Sequence, residues 1–244
     1  MPTPEDFEDR PPGRILVITA HPDDVDFGVA GSVATWTDAG AQVTYCVVTD
    51  GDAGGFDPAV PRSEIAGIRR AEQTAAAAEV GVSDLVFLGY PDGRLEVSMD
   101  LRRDLARVIR QVRPDRVVCQ SPERLWDRIF ASHPDHLAAG EAALCAVYPD
   151  ARNPFTFPEL LEAGHEAHAV GEVWIMAAPQ TNVYVDVTDA FDRKVAALRA
   201  HVSQETDRDG KLADRMREWL AAGAERAGLP AGRMAESFFR VATA

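Results

Sequence analysis

Residues 14–20, RILVITA, are apolar almost without interruption, and the run stops at His21-Pro22-Asp23-Asp24. Successive side chains of a strand point to opposite faces, so a strand that is apolar throughout must be covered on both sides. Three more segments read the same way: QVTYCVVTDG (42–51), LVFLGYP (85–91) and RVVCQS (116–121). Helical patterns separate them. Residues 25–39 carry small and apolar side chains at helical spacing, with Gly40 where a C-cap belongs. A long helix begins at Ser63 and Glu64 and is closed by Gly81. The stretch 99–113 is amphipathic, with Leu101, Leu105, Val108, Ile109 and Val112 on one face, and Pro114 ends it. Four strand–helix alternations with parallel-type strands predict an α/β fold: a Rossmann-like, doubly wound, mostly parallel sheet with helices on both faces and right-handed crossovers. Ligands in such sheets bind beyond the carboxyl ends of the strands.

The second half is less regular. It reads as a helix over 133–148, an irregular insert over 149–170 with His165 and His168, strands at 172–178 and 182–188, and helices over 190–201 and 211–227. No repeat or linker interrupts it, so one domain is expected over 14–244 with a C-terminal helical extension, preceded by a flexible, acidic, proline-rich arm over 1–13. That arm has neither the basic nor the apolar region of a secretory signal. No run reaches the roughly 18 apolar residues of a membrane span. A cytoplasmic protein with no membrane insertion follows as the expectation. A formal net charge of −14 repels phosphate backbones and excludes nucleic acid as a natural partner. The three cysteines, Cys46, Cys119 and Cys145, show no paired spacing; the first two read as core thiols.

Two clusters carry chemistry: His21-Pro22-Asp23-Asp24 after the first strand and His133-Pro134-Asp135-His136 after the fourth. Both fall at the carboxyl edge of one sheet, where they can converge. Imidazole with carboxylate suits zinc, which in catalytic sites takes three protein ligands and leaves a position for water. His21 and Asp24, at i and i+3 in a turn, can share a metal, and His136 can complete the set from the other loop. Asp23 then projects beside the metal-bound water as a base; His133 can stabilise an oxyanion or protonate a leaving amine, with Asp135 orienting it. Taken singly, each motif could be no more than a capped helix start. Two of them at one sheet edge call for a ligand.

The chain resembles the PIG-L/LmbE-like zinc-dependent de-N-acetylases, which include mycothiol- and bacillithiol-pathway enzymes. The likeness rests on AHPDD (20–24) and HPDH (133–136), and continues through VTDGDAGG (48–55), RRAEQTAAAAEVGV (69–82), FLGYPDGRL (87–95), VRPDRVV (112–118) and, more weakly, residues 185–204. It implies His21, Asp24 and His136 as zinc ligands, Asp23 as general base, and His133 and Asp135 as further catalytic residues. Arg69 matches an arginine of the substrate pocket, and Asp92 a sugar-hydroxyl contact. Where several family members have Glu after HPDD, this chain has Val25, with Asp26 one place later. The implied activity is hydrolysis of an N-acetyl or other N-acyl group from an amino-sugar-containing small molecule, in a domain able to form a homo-oligomer. Zinc is the implied cofactor, with iron(II) admitted by the same donors. Two rival readings share the motifs. One is a metal-dependent phosphoesterase, which two tightly held metals would favour. The other is a non-catalytic sugar- or metal-binding module, against which the intact motif residues speak. His165 and His168, at i and i+3, offer a second metal pair only weakly, and His201 reads as a helix-end histidine complementing the dipole.

Overall fold

In the computed structural model, residues 11–204 and 207–243 are described. The greater part of the expected N-terminal arm, residues 1–10, lies outside them. Seven strands form one sheet in the order β3-β2-β1-β4-β5-β7-β6: β1 (Arg14–Thr19), β2 (Gln42–Thr49), β3 (Asp84–Tyr90), β4 (Arg116–Gln120), β5 (Glu172–Met176), β6 (Val183–Asp186) and β7 (Ala235–Ala242). The first five are parallel, while β7 runs antiparallel to both β5 and β6. The chain reverses its direction of winding between β1 and β4, so the switch point where doubly wound sheets bind ligands lies beyond the ends of those two strands.

The apolar runs do what their composition requires. Ile15, Leu16, Val17 and Ile18 are all fully buried, and they alternate between two cores. Ile15 and Val17 join Trp36, Trp174 and Phe238 on one face; Leu16 and Ile18 join Leu101, Leu105 and Ile109 on the other. Each such side chain stabilises the fold by about 1.5–3 kcal/mol when removed from water. Cys46 and Cys119 are buried in the second core, unpaired. Helices α3 (Arg62–Glu79), α4 (Met99–Val112) and α5 (Pro134–Cys145) match the predicted segments to within a few residues, and the insert carries a short helix, α6 (Pro158–Glu162). Gly140 brings α5 against β4: a Cβ there would lie 2.3 Å from the Gln120 carbonyl oxygen. Among the described residues no helix is long and apolar enough to cross a membrane.

Two elements depart from expectation. The predicted helix over 25–39 is two helices, α1 (Asp24–Gly28) and α2 (Ala30–Asp38), broken at Val29, whose φ is −146°. The predicted helical C-terminus contains α8 (Leu212–Arg226), but the chain then returns as β7, which reaches the sheet between β5 and β6. The two departures share one cause. Glu236, buried on β7, accepts from the Gly31 and Ser32 backbone N–H groups at 3.1 and 2.7 Å, satisfying the first turn of α2. Lys194, fully buried on α7 (Phe191–Arg199), donates to the Asp26 and Phe27 carbonyls at 2.8 and 2.7 Å, satisfying the last turn of α1. Lys194 and Glu236 are themselves 2.7 Å apart. A buried ion pair thus terminates one helix and starts the next, supplying the end-group partners that either helix end otherwise lacks.

Candidate active site

The switch point gathers the two histidine motifs. Ala20 and His21 leave β1 level with the end of β4, and the Ala20 N–H donates to the Gln120 side-chain oxygen at 2.8 Å. The chain then turns sharply. Asp23 has φ +90°, a conformation L-residues rarely adopt. Gln73 of α3 holds it by accepting the Asp23 N–H at 2.8 Å. Neither motif aspartate caps a helix with its side chain. Instead the Asp24 carboxylate folds back to accept the His21 N–H at 2.7 Å, which directs it toward His136.

Three residues offer donor atoms there, the Asp24 carboxylate facing each imidazole with a different oxygen. His21 Nδ1 lies 3.2 Å from His136 Nε2 and 3.4 Å from Asp24 Oδ2, and His136 Nε2 lies 3.1 Å from Asp24 Oδ1. Zinc bonds of ~2.0–2.1 Å in tetrahedral arrangement place ligand atoms about 3.3 Å apart. Each pairwise separation of imidazole and carboxylate donors is therefore of the length such an ion requires, and the donor types fit it. His136 Nδ1 is 3.2 Å from the Ala131 carbonyl oxygen, the usual anchor for the remote nitrogen of a metal-binding imidazole.

Asp135 and Asp92 stand on the other side of His21. Its Nε2 lies 3.2 Å from Asp135 Oδ2 and 3.0 Å from Asp92 Oδ1. Asp135 also accepts the Gly93 and Leu95 N–H groups at 2.7 and 3.2 Å, and Asp92 accepts that of Ala53 at 3.3 Å. The sequence points to Asp135 as orienting His133 and to Asp92 as meeting substrate; in the structure both buried carboxylates pack against His21, and the Asp135 N–H also donates to His133. The ligand atoms of His21, Asp92 and Asp135 lie within 4.8 Å of one another, close enough to group around an ion of their own. Their oxygens, however, are taken up by backbone donors and by His21, an arrangement that orients an imidazole.

Arg69 is likewise buried. It donates to the Pro22 carbonyl, to the Gly51 carbonyl at 3.1 Å and to Asp23 Oδ2 at 3.1 Å, and so clamps the first motif to the loop after β2. Gly51, at φ +62°, leaves it room: a Cβ there would lie 2.5 Å from Arg69 Nη1. Gln73, which the sequence reading missed, lies one helical turn beyond Arg69. The detectable signal was two polar residues on the buried alanine stripe of α3.

His133 caps α5, its Nδ1 accepting the Asp135 N–H at 3.2 Å. A neutral ring whose Nδ1 accepts must carry its proton on Nε2. The ring stands edge-on to His21 with centroids 4.9 Å apart.

Charge follows this packing. Burial opposes ionisation of His21, but hydrogen bonds to Asp135, Asp24 and Asp92 outweigh it and push the imidazole up to about 12. Burial also works against the Asp24 carboxylate, yet His136 and His21 hold it well below the usual range. For Asp23, burial dominates and lifts the carboxyl to about 6, with Arg69 pulling the other way and Asp24 adding to the rise. Burial and the neighbouring His21 and His136 lower the His133 pKa, favouring its neutral form. A cluster in which acidic oxygens surround two histidines is one that favours an added cation.

The remaining histidines lie elsewhere. His165 Nε2 is near the Gln111 side chain at 3.2 Å and His168 Nε2 near the Pro114 carbonyl at 2.8 Å, so both fasten the insert to the end of α4 and do not face one another as a metal pair. His201 follows the end of α7, but its ring is fully buried, with Nε2 2.7 Å from Asp26 Oδ2, which also accepts from Gln73. Trp126 and Phe130, before the second motif, are 80% and 77% exposed and lie outside the core.

A metal-type donor triangle, a carboxylate lodged beside it and a neutral imidazole N–H, all at the switch point of a doubly wound sheet, define an α/β enzyme of the hydrolytic class. The chain belongs to the PIG-L family: the family model described as GlcNAc-PI de-N-acetylase matches residues 16–147. It is 33% identical over 192 residues to a diacetylchitobiose deacetylase of Thermococcus kodakarensis, covering 78% of this chain and 70% of the relative. It is 30% identical over 198 residues to a probable N-acetyl-alpha-D-glucosaminyl L-malate deacetylase 2 of Bacillus anthracis, covering 78% and 81% respectively. Among solved structures, N,N'-diacetylchitobiose deacetylase from Pyrococcus horikoshii, complexed with an inhibitor, superimposes with a TM-score of 0.86 at 30% identity, over 95% of this chain and 84% of that one.

Proposed function

We propose that the protein hydrolyses the amide of an N-acylated amino sugar, with His21, Asp24 and His136 holding a zinc ion and Asp23 acting as general base. The observation that carries this reading is the donor triangle of 3.1–3.4 Å between His21 Nδ1, Asp24 and His136 Nε2. Support for the substrate class comes from the three relatives named above, each called a deacetylase of diacetylchitobiose or of an N-acetyl-glucosaminyl conjugate. Zinc, when bound, lowers the pKa of its water toward ~7 and polarises the acyl carbonyl.

The protein's own residues supply the rest. Asp23, whose buried carboxyl is lifted toward neutrality, is matched to take a proton from water near pH 7. Arg69 occupies its Oδ2 and keeps the carboxylate from turning away. His133, neutral and protonated on Nε2, donates to the oxygen that gains charge as the carbonyl is attacked, as a neutral imidazole can in a buried site. The proton taken by Asp23 then passes to the departing nitrogen, so the C–N bond breaks as an amine leaves, not an amide anion. Asp135 and Asp92 hold the ring of His21, and Arg69 ties the first motif to the loop after β2. The three free cysteines accord with a reducing, cytoplasmic setting.

The test is Asp23→Asn assayed on N-acetylglucosamine conjugates by release of primary amine. Turnover should fall by about 10²–10⁴-fold, with one zinc per chain retained by metal analysis. Undiminished turnover would remove Asp23 from its role. Two tightly bound metals in the wild type would point to the phosphoesterase chemistry instead.

A further inference from the structure

A cavity of about 440 Å³ opens on Asp24 and His136 from the β4–β5 side of the sheet. Its walls are Phe27, Phe130, Met176, Met216 and Trp219, and besides the two motif residues its polar lining is Gln120 and Arg128. Gln120 is already committed to the Ala20 N–H. The opposite flank of the centre, beyond β2 and β3, is charged: Asp50, Asp52, Arg62, Asp92 and Arg69 cluster there in ion pairs and backbone hydrogen bonds. An amide held at the donor triangle therefore has a polar side and an apolar side. Sugar hydroxyls suit the first. The second suits hydrocarbon, and a substituent that fills it is attached close to the reacting carbon, because Asp24 and His136 are part of its lining.

We propose that this cavity receives the acyl chain, and that the acyl group removed is longer than acetyl: a medium-length aliphatic chain of about six to eight carbons. The inference rests on the de-N-acylation reading. Size decides it. An acetyl methyl takes up about the volume of a water molecule, ~30 Å³, and would leave most of the cavity unfilled. A cavity of ~300–1,000 Å³ is of the class that encloses ligands of many heavy atoms. Even half of the available space holds roughly seven methylene-sized groups at ~30 Å³ each. The flexible thioethers of Met176 and Met216 let the wall follow such a chain. The reaction is unchanged in balance: water adds to the acyl carbon, the C–N bond breaks, the carboxylic acid leaves with the chain, and the amine takes the proton.

The experiment compares zinc-loaded protein on N-acetyl- and N-octanoyl-glucosamine, with the octyl glycoside of N-acetylglucosamine as a third substrate, and follows the tryptophan fluorescence of Trp219 during titration with octanoate and with acetate. Two variants fill the cavity. Met216→Trp adds bulk from α8. Gly28→Ala places a Cβ 2.6 Å from Met176 Sδ, displacing that thioether, and so works even where the larger substitution impairs folding. The octanoyl amide should exceed the acetyl amide in kcat/KM by at least about tenfold, the range that a few buried methylenes command. In the variants the octanoyl-to-acetyl ratio should fall by a similar factor, and octanoate should bind saturably to wild type alone. Preference for the acetyl amide, a ratio unmoved by both variants, or selective gain on the octyl glycoside would overturn the proposal, the last because it would put the aglycone in the cavity. If no amide is cleaved, the hydrolase reading fails and octanoate binding alone decides: saturable binding lost on filling upholds the apolar-chain site, and none refutes it.

Discussion

Both ring nitrogens of His21 are engaged, and the partners of Nε2 determine what Nδ1 is free to do. With Asp135 and Asp92 at 3.2 and 3.0 Å accepting the Nε2 proton, the Nδ1 proton of the imidazolium is the one a metal ion would displace, and Nδ1 would then turn its lone pair toward Asp24 and His136. Asp135 is the more constrained of the two: its oxygens also receive the Gly93 and Leu95 N–H groups, so every hydrogen bond to its carboxylate comes from a donor. Asparagine at that position offers one acceptor oxygen and one NH₂, and the NH₂ must face a donor. Asp135→Asn should therefore weaken zinc binding by about 10–100-fold, the usual effect of losing an outer partner of a metal-bound histidine, as measured by competition against a chromogenic chelator. An unchanged affinity would assign Asp135 to structure alone. The residue types and spacing of the two motifs were legible in the sequence, because a histidine and an aspartate three apart in a turn can reach one point. The partners of Asp135 and Asp92 were not legible. They depend on the loop after β3 crossing to His21, a long-range placement that local pattern does not encode.

At the scale of elements, the parallel core was readable for a simple reason. Strands buried on both faces have no polar positions, and β1, β2 and β4 are each apolar over consecutive residues. The break at Val29 and the strand β7 escaped because they depend on each other. Residues 30–38 have ordinary helical character, and nothing in them reveals that a carboxylate over 200 positions away, Glu236, will satisfy the first turn of α2. In β7 that same glutamate is a buried charge within a segment that otherwise alternates weakly, which obscures its strand signature. The energetic consequence is testable. Lys194→Met leaves Glu236 without its charge partner and removes the donors from the Asp26 and Phe27 carbonyls. Breaking a buried pair from one side costs about 3–5 kcal/mol. Urea denaturation should register that loss for Lys194→Met, and a smaller loss than the sum of the singles for the Lys194→Met/Glu236→Met double variant. A single-variant change below about 1 kcal/mol, the level of an exposed pair, would show that the contact carries little of the fold.

Considered as a whole molecule, the protein brings its metal-type donors from segments more than 100 residues apart: His21 and Asp24 after β1, His136 at the start of α5. Only the folded sheet holds these loops within bonding distance, since the parallel pairing of β1 with β4 sets their ends level. The unfolded chain has no comparable site, so an ion that binds the triangle must stabilise the native state. With free zinc at about 100 times its dissociation constant, the stabilisation is ~2.7 kcal/mol. For a domain of this size each kcal/mol raises Tm by roughly 2–4 °C. Melting of the zinc-loaded protein should therefore occur about 5–10 °C above that of the chelator-treated protein, and re-addition of zinc should restore the difference. Asp24→Asn serves as the control, because it weakens one corner of the triangle while leaving the sheet and both helices α1 and α5 intact; its melting temperature should be nearly independent of zinc. An equal shift in wild type and Asp24→Asn would locate the stabilising ion elsewhere, since an ion held at this centre cannot be indifferent to the loss of one of its three donors.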